Sequence, residues 1–285
     1  MRIKSIFVIL NVVLGVAFLV IFLTPVFMLG GDWSSLFWTR NWPIALVFLV
    51  ALGCVDAYFI LNWSLFEGLE KEDWARVAAF LEERIYRRGW VLPMHVRLLL
   101  NTYLVTSNTE SIRALEAYLR GRKPAAIARF AVPFGIPYLL GKDPKESEVF
   151  FRGLLEAKGT TDRDWIRWNH AFSLLQAKSP GEAREELVSI VDTSRDQLLQ
   201  LLSLYLLDVL TKEDAELEKK VNQSREGLHA RTTAAELTRA IEKAGGNMEI
   251  IVLGRMLRDA VEWLFAAPAA AGAAQSAARV KSPPS

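Results

Sequence analysis

The chain has one cysteine, Cys54, in 285 residues, so no intramolecular disulfide forms and no thiolate metal site can be assembled. Histidine is almost as scarce. His95, His170 and His229 fall in separate predicted helices with no second ligand three or four residues away, which leaves no metal or acid–base pattern to build on. Neither sign of charge dominates: 34 Lys+Arg stand against 32 Asp+Glu, a balance that argues against general nucleic-acid binding. Period-two alternation and Asn-Gly hairpin signals are missing, so the chain reads as all-α. Catalytic signatures are missing too. "GIPYLLGKD" has five residues between its glycines where a phosphate loop needs four, followed by Lys142 and then Asp143 in place of a magnesium-binding hydroxyl. Glu82 with Glu83, and Glu185 with Glu186, are adjacent on helices and point in different directions, which suits solvated faces better than an acid–base pair. The expectation is a protein without catalytic residues, cofactor or metal.

What the chain does have is apolar length. Hydrophobic residues make up 52% of it, and the excess is concentrated near the N-terminus. Residues 5 to 29 carry no charge, and residues 43 to 66 carry only Asp56. At about 1.5 Å per residue, each run crosses a hydrocarbon core of roughly 30 Å, so two transmembrane helices forming a hairpin are predicted. Arg2 and Lys4 precede the first, one arginine lies in the connection "GDWSSLFWTRNWP", and Lys71, Arg76, Arg84, Arg87 and Arg88 follow the second. Positive-inside bias then puts both termini in the cytoplasm and the chain in the inner or plasma membrane. Trp33, Phe37, Trp38 and Trp42 in the connection, and Trp63 at the inner end, fit the two headgroup layers. A cleaved signal peptide is the alternative, but "TPVFMLGG" offers no A-x-A-like site; "ALGC" resembles a lipoprotein site yet lies too deep in the chain.

Asp56 is the anomaly of the second run, since a carboxylate at mid-membrane costs about 2.5–3.5 kcal/mol. A symmetrical hairpin sets it level with Gly15. There, with Gly53 and Ala57 as a small-residue pair, close helix approach is expected, and Asn11 and Asn62 lie at similar depth for a polar cross-link. Asp56 then has three readings: a protonated structural residue, a contact with another membrane subunit, or part of an ion path. Two helices are too few to line a channel alone.

Beyond Phe66 the apolar spacing is helical throughout. Residues 67 to 212 read as stacked helix pairs, with first helices beginning near 70, 109, 144 and 180. "SNTE" has the form of a capping box on Ser107 and Glu110, and "DPKES", "TTDRDW", "SPGEA" and "TSRDQ" open further helices. "DWIRWNHAFSLLQAKSPGEAREELVSIV" resembles a degenerate tetratricopeptide repeat. Trp165 and Trp168 fall near its first-helix aromatic and leucine positions and Phe172 near its tyrosine, while Ala183 and Leu187 lie in its second helix. That resemblance covers one repeat, and Gly181 stands where the family has a small alanine. It implies a TPR-like α-solenoid that binds a peptide or protein segment, with Trp165, Trp168 and Phe172 as repeat core.

Residues 124 to 140 are apolar apart from Arg129, and Pro133 and Pro137 should bend or break a helix there. They read either as a buried core helix or as a surface on which Phe130, Phe134 and Tyr138 insert while Arg120, Arg122 and Lys123 meet anionic headgroups or an acidic partner. Residues 213 to 265 form a charged helix and a final amphipathic helix, with Ile250, Leu253, Leu257, Val261 and Leu264 on one stripe. The Ala/Pro/Ser tail 266 to 285 is expected to be disordered. The whole reads as a membrane-anchored cytosolic scaffold for a protein partner. The alternative is an accessory subunit of a transport or ion-driven complex with Asp56 as its working carboxylate.

Overall fold

Helix is the one local structure in which a long apolar run satisfies its own amides, and both N-terminal runs adopt it. The computed structural model describes residues 3–28, 30–211, 214–245 and 248–266, and among these it is all-helical, with no strand. Arg2, part of the "AGGN" interruption, and the tail beyond Ala266 lie outside the described residues. The chain divides into two compact units, Met1–Thr102 and Tyr103–Ser285. The boundary read from hydropathy, between 66 and 67, falls inside the first unit, because hydropathy registers apolar composition while compactness registers packing.

In the first unit, α1 (Ile3–Met28) and α2 (Gly30–Leu61) are both long and apolar enough to cross a membrane, over Ser5–Thr24 and Ser35–Leu61. The expected loop between them is helical instead: α2 starts at Gly30 and runs through Pro43. Two polar side chains of this stretch turn onto their own helix, Thr39 Oγ1 donating to the Ser35 carbonyl (2.8 Å) and Asn41 Nδ2 to that of Phe37 (2.9 Å). Phe37 and Trp38 pack on Phe22 at 6.2 and 5.7 Å between ring centroids, which anchors the extension.

Aromatic pairs also set the register of the hairpin. Phe7 meets Phe59 at 5.0 Å and Phe18 stacks on Phe48 at 5.3 Å. Both pairs imply the same antiparallel alignment, in which Asp56 is level with Leu10 and Asn11 rather than with Gly15. The glycines take no part in close approach, since a Cβ added at Gly15 or Gly53 would meet nothing within 4 Å. Large rings at the crossing points hold the helices apart, so the small-residue contact expected from sequence is replaced by ring packing.

After Leu61 the first unit continues through α3 (Trp63–Glu70), α4 (Trp74–Glu82) with a π-helical extension over Glu83–Arg87, and the first ten residues of α5 (Pro93–Val105). Asp73 caps α4 by accepting from the Arg76 amide. Gly68 permits the tight α3–α4 crossing: an added Cβ would lie 2.8 Å from Val77 Cγ2. Val77, Leu81, Ile85, Val96, Leu99 and Leu100 are fully buried and form the core here.

In the second unit, α6 (Thr109–Arg122) is capped by Asn108, which accepts from the Ser111 amide at 3.1 Å. The capping box expected on Ser107 is displaced by one residue, because Ser107 takes up a left-handed turn at φ 53°. Then follow α7 (Pro124–Arg129), α8 (Ala131–Leu139), α9 (Pro144–Glu156), α10 (Arg163–Gln176), α11 (Pro180–Thr193) and α12 (Gln197–Leu210). Each of α8 to α12 packs on the next, and α10 also touches α8 and α12. This arrangement sets α8, α10 and α12 in one row and α9 and α11 in another.

The chain then folds back. After α13 (Ala215–Arg231) and α14 (Ala234–Ala244), the helix α15 (Met248–Val252) packs on α8 and α16 (Gly254–Phe265) packs on α12, α13 and α14. The single amphipathic helix expected at the end is thus two, broken at Leu253; of its stripe Ile250, Leu253, Leu257 and Leu264 join the core built by Trp168, Leu187 and α12, while Val261 is half-buried at its edge. Each such side chain contributes about 1.5–3 kcal/mol on burial.

Candidate functional site

Asn11 and Asp56 lie on the two membrane-length helices, and Asn62 directly follows the second. Asn11 Nδ2 donates to the Phe7 carbonyl (3.1 Å) and Asn62 Nδ2 to that of Tyr58 (2.7 Å), so each bonds its own helix and no cross-link joins them. Asp56 Oδ1 is buried and has no hydrogen-bond partner. An acceptor in that position carries the full desolvation penalty unless a donor from outside the hairpin, or a proton, meets it. A shallow groove on α1, lined by Val12, Val13, Val16, Ala17, Val20 and Ile21, is wholly aliphatic and suits acyl chains or another helix rather than a polar substrate.

Of the repeat-core residues, Trp168 is fully buried, and its ring stacks on Phe172 at 5.3 Å and 9°. Trp165 and Phe172 are half-buried against the same core. Trp165 Nε1 donates to Asp196 Oδ2 at 3.2 Å, and the other oxygen of Asp196 caps α12 by accepting from the Leu198 amide at 2.9 Å. One carboxylate thereby ties the start of α10 to the start of α12.

Phe134 is fully buried against α9 and cannot serve as an inserting surface ring. Tyr138 stacks on Phe150 at 4.0 Å and donates its hydroxyl to Glu116 Oε2 at 2.8 Å. Burial, with the Glu116 bond second, raises the Tyr138 pKa above its ordinary value. Arg120 pairs with the same Glu116, and Arg122 lies over the Tyr118 ring at 4.8 Å. Lys123 is exposed at the end of α6.

A further polar cluster includes His170 and Glu186, which the sequence offers as no site, and residues that it does not single out at all. It is a seam through α9, α10, α11 and α15. His170, 6% exposed, has Nδ1 3.4 Å from Glu186 Oε1 and Nε2 3.7 Å from Glu148 Oε1. Arg152 pairs with Glu148, and Arg167 lies 3.7 Å from Glu186, so two carboxylates flank the imidazole and each faces an arginine on its far side. Neither ring nitrogen has a hydrogen bond of good geometry. Beside this row, Ser147 and Ser173 share a hydroxyl bond of 2.7 Å, Ser173 also donates to the Asn169 carbonyl, and Asn169 Nδ2 donates to Glu249 Oε1 at 2.5 Å. Glu249 is 4% exposed, and burial raises its pKa to about 8. Asn169 Oδ1, buried beside this bond, has no donor. The one sequence signal for this seam is that α10 is apolar on several faces around Asn169 and His170, leaving them no solvent side.

The members of this seam are largely buried and held to one another. No group of three or more His, Cys, Asp or Glu residues able to hold a metal exists among the described residues. What the arrangement does is lock helices together and fix their relative positions.

Fold and site together define an all-helical protein with two membrane-length helices near its N-terminus and a separate helical unit stitched by a buried polar seam. The chain belongs to the family described as "Uncharacterised Treponema protein", whose model matches residues 111–266, that is, α6 through α16. A protein of Treponema pallidum (strain Nichols), described as "Uncharacterized protein", is 28% identical over 283 residues, covering 93% of this chain and 88% of its own length. Coverage that wide reaches well into the N-terminal helices. No solved structure matches the chain.

Proposed function

We propose that the protein is a membrane-anchored scaffold: α1 and α2 cross the bilayer as a hairpin with both termini cytoplasmic, and the second unit recruits another protein to the membrane. One observation carries this reading. Along both membrane-length helices the aliphatic side chains stay exposed, as at Val16, Val47 and Ile60, whereas the second unit buries its apolar residues and spends its polar ones on internal bonds. A surface of the first kind needs lipid, and a body of the second kind suits binding better than catalysis.

The resemblance to a tetratricopeptide repeat supports a partner that is a protein. The row of α8, α10 and α12 is covered by α15 and α16, so the partner surface in this reading is the other row, where Val149 on α9 is exposed, together with the exposed Leu140 ahead of it. Photo-crosslinking residues placed at Val149 and Leu140 of the full chain in native membranes test it. A discrete adduct at these positions, absent from a control position such as the exposed Gln223 on α13, supports the reading; adducts to lipid alone contradict it.

The unpartnered Asp56 oxygen favours a second reading, in which the hairpin assembles with another membrane subunit of a transport or ion-driven complex. Asp56→Asn separates the two. A scaffold tolerates the change, while an ion path loses function with the complex still assembled.

A further inference from the structure

The turn between the π-helical extension and α5, "RGWVLPM", ends in apolar side chains that nothing in its unit covers. Trp90 is 48% exposed, Leu92 52% and Met94 53%. The turn is nevertheless built rather than loose. Gly89 takes φ +69°, Trp90 N–H donates to the Arg84 carbonyl at 2.9 Å, and Leu92 N–H donates to that of Trp90 at 2.8 Å. The buried ring of His95 sets its Nδ1 3.2 Å from the Trp90 carbonyl. Backbone bonds therefore aim three large apolar side chains outward.

Its position relative to α2 is fixed by Arg84. The guanidinium donates to the carbonyl of Leu61, the last residue of α2, at 2.9 Å, and its Cζ lies 5.4 Å from the centroid of the Trp90 ring. The indole is thus held within about 10 Å of the end of the apolar helix, comparable with a headgroup layer of roughly 5–8 Å per leaflet. The Arg88 guanidinium lies 5.9 Å from the same ring, and Arg87 stays 80% exposed while pairing with Glu83 at 3.2 Å. Exposed apolar side chains, an indole and two exposed arginines gathered on one turn match the composition of a bilayer-surface contact, where aromatic and apolar groups enter the headgroup layer and arginines meet anionic headgroups.

We propose that the turn 88–94 docks on the bilayer surface at which α2 ends, with Trp90, Leu92 and Met94 in the headgroup layer and Arg87 and Arg88 on anionic phospholipid headgroups. The inference rests on the reading of α1 and α2 as membrane spans. It adds a third membrane contact, which restrains how the first unit tilts relative to the bilayer.

The single native cysteine makes the test direct. In the full chain carrying Cys54→Ser, a nitroxide is attached at Leu92→Cys or, separately, at Val47→Cys on the exposed face of α2. Each protein is reconstituted in vesicles of phosphatidylcholine with or without phosphatidylglycerol, and depth is read from the ratio of collision rates with oxygen and with a water-soluble nickel chelate. The expected result is acyl-chain depth at 47, and headgroup depth at 92 that becomes shallower without phosphatidylglycerol or with Arg87→Glu and Arg88→Glu together. An aqueous signal at 92 with 47 still in the acyl region overturns the docking turn alone. Shielding of 92 from both reagents also overturns it, because protein rather than lipid then covers the turn. Equal depth in both lipid mixtures overturns the anionic assignment, and an aqueous signal at 47 overturns the spanning reading itself.

Discussion

Asn169 on α10 and Glu249 on α15 are joined by a 2.5 Å hydrogen bond across 80 residues of sequence, inside the core of the second unit. The bond pins the returning C-terminal helices to the middle of the stacked ones. It also places a carboxyl where ionisation is opposed by burial, and this has a measurable consequence.

Glu249 has its folded-state pKa raised from 4.5 to about 8, so between those values the folded state holds a proton that the unfolded state has released. Stability from this group is complete below pH 4.5, declines as pH rises, and reaches its lower plateau above about 8. The decline between pH 4.5 and pH 7 amounts to roughly 3 kcal/mol. Glu249→Gln, which keeps the amide pairing without the charge, should flatten that slope and raise the melting temperature most at alkaline pH. Thermal melts of the full chain in detergent across this range check it.

Gly135 on α8 faces Phe151 so closely that an added Cβ would stand 2.6 Å from Phe151 Cε1, and Phe151 is itself fully buried. Gly135→Ala should therefore destabilise the second unit by about 1–3 kcal/mol. Gly53→Ala, with nothing within 4 Å of its Cβ, should leave stability unchanged. Denaturant midpoints of the two variants compare them directly.

Trp168 is fully buried and its Nε1 has no acceptor. Trp168→Ala should cost about 3–5 kcal/mol, whereas Trp168→Phe should cost much less, since it removes an unsatisfied donor along with some packing. Trp165→Phe loses the bond to Asp196 and should cost about 1 kcal/mol. Near-ultraviolet circular dichroism during unfolding distinguishes the three.

Asp56→Leu removes the unpartnered buried oxygen from α2. In the anchor reading it should leave membrane extraction and yield unchanged or improved, and Asp56→Asn should behave like wild type. If a membrane subunit meets this carboxylate, co-purification of that subunit falls with Asp56→Leu while partners of the second unit remain.

Much of the fold was legible because it rests on local signals. The apolar runs, and the "DPKES" opening that caps α9 at Asp143, each speak for their own helix. Helix starts expected near 109, 144 and 180 coincide with Thr109, Pro144 and Pro180, whereas that expected near 70 falls where α3 ends and α4 starts four residues later. The register of the hairpin was not legible, because it depends on which rings meet: Phe7 with Phe59 and Phe18 with Phe48 shift Asp56 away from Gly15. The capping box of α14, Thr233 with Glu236, has a sequence signature but lies in a charged stretch that reads as an undivided solvated face. The polar seam was hidden for a different reason. His170 and Glu186 are 16 positions apart and Asn169 and Glu249 are 80 apart, so only the packing of α9, α10, α11 and α15 brings them together.

The proposed topology, two crossings of the membrane with the helical unit on the cytoplasmic side, predicts a signature that one labelling experiment reads. In a Cys54→Ser background, Glu185→Cys on the exposed surface of α11 reports that side to a membrane-impermeant maleimide. The two-span topology predicts labelling in sealed inside-out vesicles and none in sealed right-side-out vesicles, with the chain retained in the membrane after alkaline extraction. Labelling in right-side-out vesicles, or release of the chain by alkali, would contradict it.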